Sequence, residues 1–162
     1  MVETFRTATA ADIDTIKQIA VDTNLFEPDG VAFFDELIVG SLDGTMNDHH
    51  WLVAEHDSNV VAAAYYAPEP FSDRMWNIYF IAVAPRHQSH GTGAVLLEHI
   101  EQELRARGTD AARVLIVETS STVQYASTRR FYRQHEYEEE ARIRQFYGPD
   151  DHKVVFWKSL LG

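Results

Sequence analysis

The stretch Asn77–Gly108, NIYFIAVAPRHQSHGTGAVLLEHIEQELRARG, leaves few folds open to this chain. It opens as an apolar run from Ile78 to Ala84, rich in the β-branched and aromatic residues that suit a buried strand. Pro85 ends the run, because proline has no N–H to give a sheet ladder. After the polar segment Arg86 to His90, Gly91 and Gly93 open a helix whose Leu97, Ile100 and Leu104 recur on one face. Gly108 falls just past the last turn, where a left-handed cap is expected. The segment therefore reads as strand, tight glycine loop and helix. Such a loop brings backbone close to a bulky group, and the first orphan N–H groups of the helix suit an anion, above all a phosphate. The glycine spacing alone serves a tight turn and close helix packing equally well.

Around this unit the chain alternates between helical and extended patterns. Thr4 to Ala8 reads as a short strand, and Ala11 to Asp22 as a helix with Ile13, Ile16, Ile19 and Ala20 on its apolar stripe. Asn24 to Gly30 breaks the pattern, and a second helix is expected over Val31 to Val39. His50 to His56 and Val60 to Tyr66 read as a hairpin about Asp57-Ser58-Asn59. Val114 to Val117 is a second continuous apolar run, so the helix between it and the first becomes a crossover joining two parallel strands. Ligands of such sheets lie beyond the carboxyl ends of the strands, which places Pro85 to Gly93 and Glu118 to Ser121 at one site. Thr122 to Gln134 reads as the last helix, and Tyr137 to Phe146 with Lys153 to Trp157 as the final strands. The whole is a mixed α/β chain, one domain over residues 1–162.

Composition narrows the chemistry. Cysteine is absent, which removes disulfides, thiolate metal sites and thiol nucleophiles. With 25 acidic against 14 basic residues the formal charge is -11, which disfavours nucleic acid and anionic membrane partners and suits either a merely soluble surface or a cationic acceptor such as an amine. No apolar run approaches the roughly 20 residues that span a bilayer, and the start M-V-E-T-F-R lacks a signal-peptide pattern, so a cytoplasmic protein is expected. The loop Gln88-Ser-His-Gly91-Thr-Gly93 is neither a nucleotide P-loop, since it lacks the Lys-Ser/Thr ending, nor a dinucleotide G-x-G-x-x-G.

Gln88, Gly91 and Gly93 in this strand-loop-helix setting, with Ile81 to Pro85 before them, resemble the signature of the GNAT N-acetyltransferase superfamily. The resemblance extends through Glu118-Thr119 and the A-S-T-R-R-F-Y run ending at Tyr132. It implies an acyl-CoA N-acyltransferase fold, a central mixed sheet splayed between its fourth and fifth strands with helices on both faces. It also implies acetyl-CoA as cosubstrate. Backbone N–H groups of Gln88, Ser89, His90, Gly91, Thr92 and Gly93 would hold the pyrophosphate, and Ile81, Ala82 and Val83 would pair with the pantetheine. Two positions depart from the pattern. Ser89 stands where many relatives have glycine, and Glu136 where a left-handed C-cap glycine is usual.

Tyr132 matches the family's general acid, a phenol of ordinary pKa near 10 that can protonate a thiolate of pKa about 8.5. Glu118, at a strand end, is the candidate for taking the amine proton directly or through water, with helix capping or ammonium binding as equal alternatives. Thr119 could orient that water. Asn77 and Tyr79, two apart on one strand, share a face and are candidates for the acceptor pocket; Asn77 stands where many relatives carry an acid and cannot itself be a base. His49, His50 and His56 form no metal signature, and no metal is expected. Arg129, Arg130 and Arg133 either contact CoA phosphate or coat the last helix. The implied activity is acetyl transfer to the primary amine of a small molecule or peptide in a ternary complex. A noncatalytic acyl-CoA-binding or protein-interaction module is the alternative. An apolar, aromatic C-terminal hairpin suits a homodimer or simply an internal core.

Overall fold

The computed structural model describes residues 3–161. Seven strands form a mixed sheet: β1 (Thr4–Thr7), β2 (His50–His56), β3 (Asn59–Pro68), β4 (Met75–Val83), β5 (Val114–Ser120), β6 (Glu138–Gly148) and β7 (Asp151–Ser159), ordered β1-β2-β3-β4-β5-β7-β6. Four α-helices accompany them: α1 (Ile13–Asp22), α2 (Phe34–Leu42), α3 (Thr92–Ala106) and α4 (Ala126–Gln134). The expected parallel crossover pair is present, β4 and β5 being parallel from Met75↔Val114 to Ile78↔Val117. That register stops at Ile78, while β4 runs on to Val83 and β5 to Ser120. Among the described residues no helix is long and apolar enough to cross a membrane.

Two compact units divide the described chain, residues 3–67 with 80–100 and residues 68–79 with 101–161. In the first, β1 and β2 pair antiparallel, as do β2 and β3. The β2–β3 turn is tighter than the expected three-residue linker: Asn59 already pairs with His56, and Asp57 and Ser58 carry it at φ 52° and 67°. Two successive positive φ values suit the right-handed strand twist, which is why this turn works without glycine. The second helix starts later than its apolar pattern suggests, because Pro28–Val31 forms a separate 3-10 turn before α2. Pro28 at the first position of that turn has a preset φ and loses no needed N–H.

The core of the first unit collects Ile16, Ile19 and Ala20 of α1, Phe34 and Ile38 of α2, and Trp51, Val53, Ala63, Tyr65 and Phe80 of the strands. Phe34 meets both Trp51 and Phe80 edge-on or tilted with centroids 5.3 Å apart, and Trp51 stacks on Tyr65 at 4.8 Å. Burying each such ring stabilises the fold by about 2–3 kcal/mol. Ala62, Ala63 and Ala64 are wholly buried, as small residues under close-packed neighbours should be.

In the second unit β5 is buried along Val114–Val117 and pairs antiparallel with β7, which in turn pairs with β6. Trp76 is buried with its indole N–H donating to the Ala111 carbonyl at 3.0 Å and the Arg107 guanidinium 4.9 Å from its ring centre. The last helix begins with a 3-10 turn at Val123–Tyr125, so α4 proper is shorter than its sequence pattern. Of its expected inner residues Tyr125, Thr128, Phe131 and Tyr132, only Tyr132 is fully buried.

Candidate active site

The candidate phosphate loop lies in the first unit. Pro85–His87 forms a 3-10 turn after β4, and the Gln88 amide donates to Pro85 O at 3.3 Å. Gln88 therefore acts through its side chain, Nε2 donating to Val83 O at 3.0 Å and tying the loop to the strand end. Among the described residues no acceptor faces the amides from Ser89 to Ala94, and the first donation of the helix is Val95 N–H to Gly91 O at 3.1 Å. Gly91 has φ 82°, the left-handed region glycine occupies freely. A cluster of unpaired amides at the start of a fifteen-residue helix is a ready anion site. The Thr92 hydroxyl is not part of it, because Thr92 is buried and donates to the Glu3 carboxylate. That hydrogen bond, more than nearby His87, holds Glu3 below the usual carboxylate range.

Both departures from the family pattern fall on strained backbone. Ser89 has φ 67° and Glu136 φ 70°. At the end of α4, Tyr137 N–H bonds Tyr132 O at 3.0 Å and Glu136 N–H bonds Arg133 O at 3.1 Å, a Schellman cap with Glu136 at the position glycine favours. The accompanying apolar contact is Tyr132 against Tyr137, centroids 5.9 Å apart. Ser89→Gly and Glu136→Gly should each stabilise the protein by about 1 kcal/mol, since a left-handed residue with a Cβ costs roughly that much. Urea unfolding checks this; midpoints that stay put or fall would show that the strain is relieved elsewhere.

The second unit holds the residues nominated for proton transfer. Tyr132 is 3% exposed, and its hydroxyl makes no hydrogen bond among the described residues. Burial pushes the phenol well above its ordinary value near 10, so it remains protonated at neutral pH. Its ring is fixed by Phe131, Tyr137 and Phe156, with centroids at 5.4, 5.9 and 5.5 Å. Glu118 pairs with Lys153 Nζ at 3.0 Å, and Lys153 lies 3.5 Å from the Phe146 ring centre. Thr119 is buried beside it on β5, opposite Val154. Ser120 caps the turn that follows, its Oγ accepting from Thr122 N–H at 3.0 Å.

Asn77 and Tyr79 meet, as their shared face predicts, on a residue the sequence reading passed over. Glu69 Oε2 accepts from Tyr79 OH at 2.7 Å and from Asn77 Nδ2 at 3.0 Å. Asn77 is 1% exposed, and its Oδ1 has no partner among the described residues. A carboxylate thus stands beside the strand position that lacks one. Glu69 sits in a proline-flanked segment, Pro68-Glu69-Pro70, with no periodicity to mark it; only the fold of that segment back onto β4 reveals it. The arginines divide as well. Arg129 donates to the Ser120 and Thr122 carbonyls, both at 2.8 Å, and Arg133 pairs with Glu139 at 3.0 Å, so both have structural partners.

The model of the acetyltransferase (GNAT) family matches residues 14–137. The chain belongs to that family. Among solved structures, a GNAT-family protein from Desulfovibrio desulfuricans is 29% identical with a TM-score of 0.89, covering 99% of this chain and 100% of that one. The ribosomal-protein-S18-alanine N-acetyltransferase of Escherichia coli shares the fold at 19% identity and TM-score 0.80, over 99% of this chain and 96% of that one. So does yncA from Salmonella typhimurium, solved with acetyl-CoA, at 20% identity and TM-score 0.79 over 99% and 95% of the two chains. No curated protein matches the sequence significantly.

Proposed function

We propose that the protein transfers the acetyl group of acetyl-CoA to a primary amine of a small molecule or peptide by direct attack in a ternary complex. The observation that carries this reading is the run of acceptorless amides from Ser89 to Ala94 at the start of α3, which fits the pyrophosphate of a CoA ester. Backbone of Ile81, Ala82 and Val83 is the proposed partner of the pantetheine; the Val83 carbonyl is already engaged by Gln88, which leaves its N–H and the groups of Ile81 for that role. Acetyl-CoA, when bound, supplies the thioester carbonyl that the amine attacks and the sulfur that leaves. The chain's residues then have two proton tasks, since an amine loses one proton as it becomes an amide and the leaving sulfur gains one.

Tyr132 is assigned the donation to sulfur, because its phenol is protonated, held by three rings and engaged by no other described group. Glu118 is assigned the removal of the amine proton, directly or through a water oriented by Thr119. Its carboxylate pairs with Lys153, which must yield part of that contact to an incoming ammonium. Glu69, with the spare Oδ1 of Asn77 and the Tyr79 ring, offers acceptors suited to an ammonium's donors and is assigned to acceptor binding. An acyl-CoA-binding module without catalysis is the second reading, favoured by the absence of an acid at Asn77.

Calorimetric titration with acetyl-CoA, with dephospho-CoA and ATP as controls, tests the cofactor half. Saturable binding to folded protein is expected, and its absence would remove the proposal. An amine and peptide panel then separates the two readings: multiple turnovers support the transferase, and binding without turnover supports the module.

A further inference from the structure

Three side chains far apart in sequence converge beside the phosphate loop without taking part in it. Glu3 precedes β1, His56 ends β2, and His87 closes the 3-10 turn after β4. One donor atom from each lies within 4.8 Å of the other two. We propose that Glu3, His56 and His87 form a binding site for a borderline divalent cation, Zn2+ above all.

The donor geometry supports this. His87 Nε2 and Glu3 Oε1 are 3.3 Å apart, close to the edge of about 3.3 Å that metal–ligand bonds of 2.0–2.1 Å give in a tetrahedron. The rings of His56 and His87 have centroids 4.8 Å apart, so a modest side-chain movement of His56 closes the remaining gap. His56 Nε2 faces Asp57 at 3.5 Å, while its Nδ1 is buried with no partner among the described residues. A buried imidazole nitrogen left unpaired is what a metal ligand looks like before the ion arrives. All three side chains are mostly sheltered, at 14% exposure for Glu3, 15% for His87 and 26% for His56.

The surroundings orient the ligands. The Thr92 hydroxyl donates to the Glu3 carboxylate, the kind of second hydrogen bond that fixes a ligating oxygen. His90 lies beside the cluster, its Nδ1 3.2 Å from the His87 carbonyl and its ring centre 5.4 Å from that of His87. Two imidazoles with one carboxylate match zinc and its neighbours, whereas calcium and magnesium ask for oxygen ligands throughout. Three protein ligands leave a fourth position for water. The ion would fasten the start of the chain, the β2–β3 hairpin and the turn preceding the amide cluster to one another, and would offset the Glu3 charge beside those amides.

The test uses metal-free, full-length protein titrated with Zn2+ against a chelator of known affinity, and separately with Co2+ followed by visible absorption. One Zn2+ per chain, and Co2+ bands of a tetrahedral site, are expected. His56→Ala and Glu3→Gln should each weaken Zn2+ binding by more than about 100-fold, since even loss of a ligand's supporting group costs 10–100-fold. His50→Ala, which leaves the cluster intact, should bind as the parent does. Circular dichroism establishes that each variant is folded, and Glu3→Gln, nearly isosteric, serves where His56→Ala is not. Affinity equal in parent and Glu3→Gln, or no saturable site in the parent, would overturn the proposal. Because the readout is metal binding alone, it stands or falls independently of acetyl transfer.

Discussion

Tyr132→Phe is expected to lower kcat for acetyl transfer by about 100-fold or more while leaving the KM for acetyl-CoA nearly unchanged, the signature of losing a general acid. The substitution is clean because the hydroxyl makes no hydrogen bond among the described residues, whereas the ring packs on Phe131, Tyr137 and Phe156. Phenylalanine keeps those contacts, so the urea midpoint should move little and a catalytic role is separable from a structural one. The pH dependence follows from the direction of the shift. Burial raises the phenol above its ordinary value near 10, so the acid form persists through the neutral and mildly alkaline range. A fall in kcat between about pH 8 and 10 would then belong to another group. Unchanged kcat in the Phe variant would reduce Tyr132 to a packing residue.

The largest expected effect on stability is at Glu101, which is not a site residue. Glu101 sits on α3 with 5% exposure. Its Oε2 accepts from Tyr137 OH at 2.8 Å, and its Oε1 from Lys158 Nζ at 2.9 Å and Arg105 Nη1 at 3.4 Å. Burial, then the adjacent Glu101 charge, push the Tyr137 phenol far up, so that it is always a donor to this carboxylate. Glu101→Ala leaves the sheltered Lys158 ammonium without its carboxylate, with the His135 carbonyl 2.9 Å away and the Tyr137 ring centre 5.1 Å away. Removing one member of a buried pair in this way costs about 3–5 kcal/mol, which for a chain of this size lowers Tm by roughly 10 °C. Replacing Glu101 and Lys158 together with methionine should recover part of the loss, because the Lys158 charge is no longer left unpaired, while the buried Tyr137 hydroxyl still lacks its acceptor. A single-variant loss below about 1 kcal/mol in urea unfolding would mean that water reaches Lys158 and the network is not buried in effect.

The candidate residues of the two units differ in how far the chain reveals them. The loop from Pro85 to Gly93 is legible because its information is local: a proline that ends a strand, a left-handed glycine, and an apolar stripe that starts one turn later. Even there the engagement of the Gln88 amide by Pro85 O depends on the turn at Pro85. The Tyr132 segment is legible only through family resemblance, because an aromatic on an amphipathic helix looks the same whether it packs or reacts. Glu69 escapes altogether. Its pairing with Asn77 and Tyr79 needs the segment after β3 to fold back, and no periodicity records that.

What the sequence by itself determined is the set of elements and the class of ligand. The 2.0 and 3.6 residue periods, the prolines and the glycines act over a few positions, so they specify strand, loop and helix, and with them a candidate anion site at one helix start. Only the tertiary structure decided which polar groups face one another. Glu3 and His87 lie 84 residues apart in sequence yet 3.3 Å apart in space, and Lys158 reaches Glu101 across 57 residues. Such pairings depend on how strands are ordered and registered, a property of the packed whole that leaves no mark on the neighbours of either residue. The left-handed backbone of Glu136, by contrast, is set locally by the cap at the end of α4, in a conformation its own side chain resists.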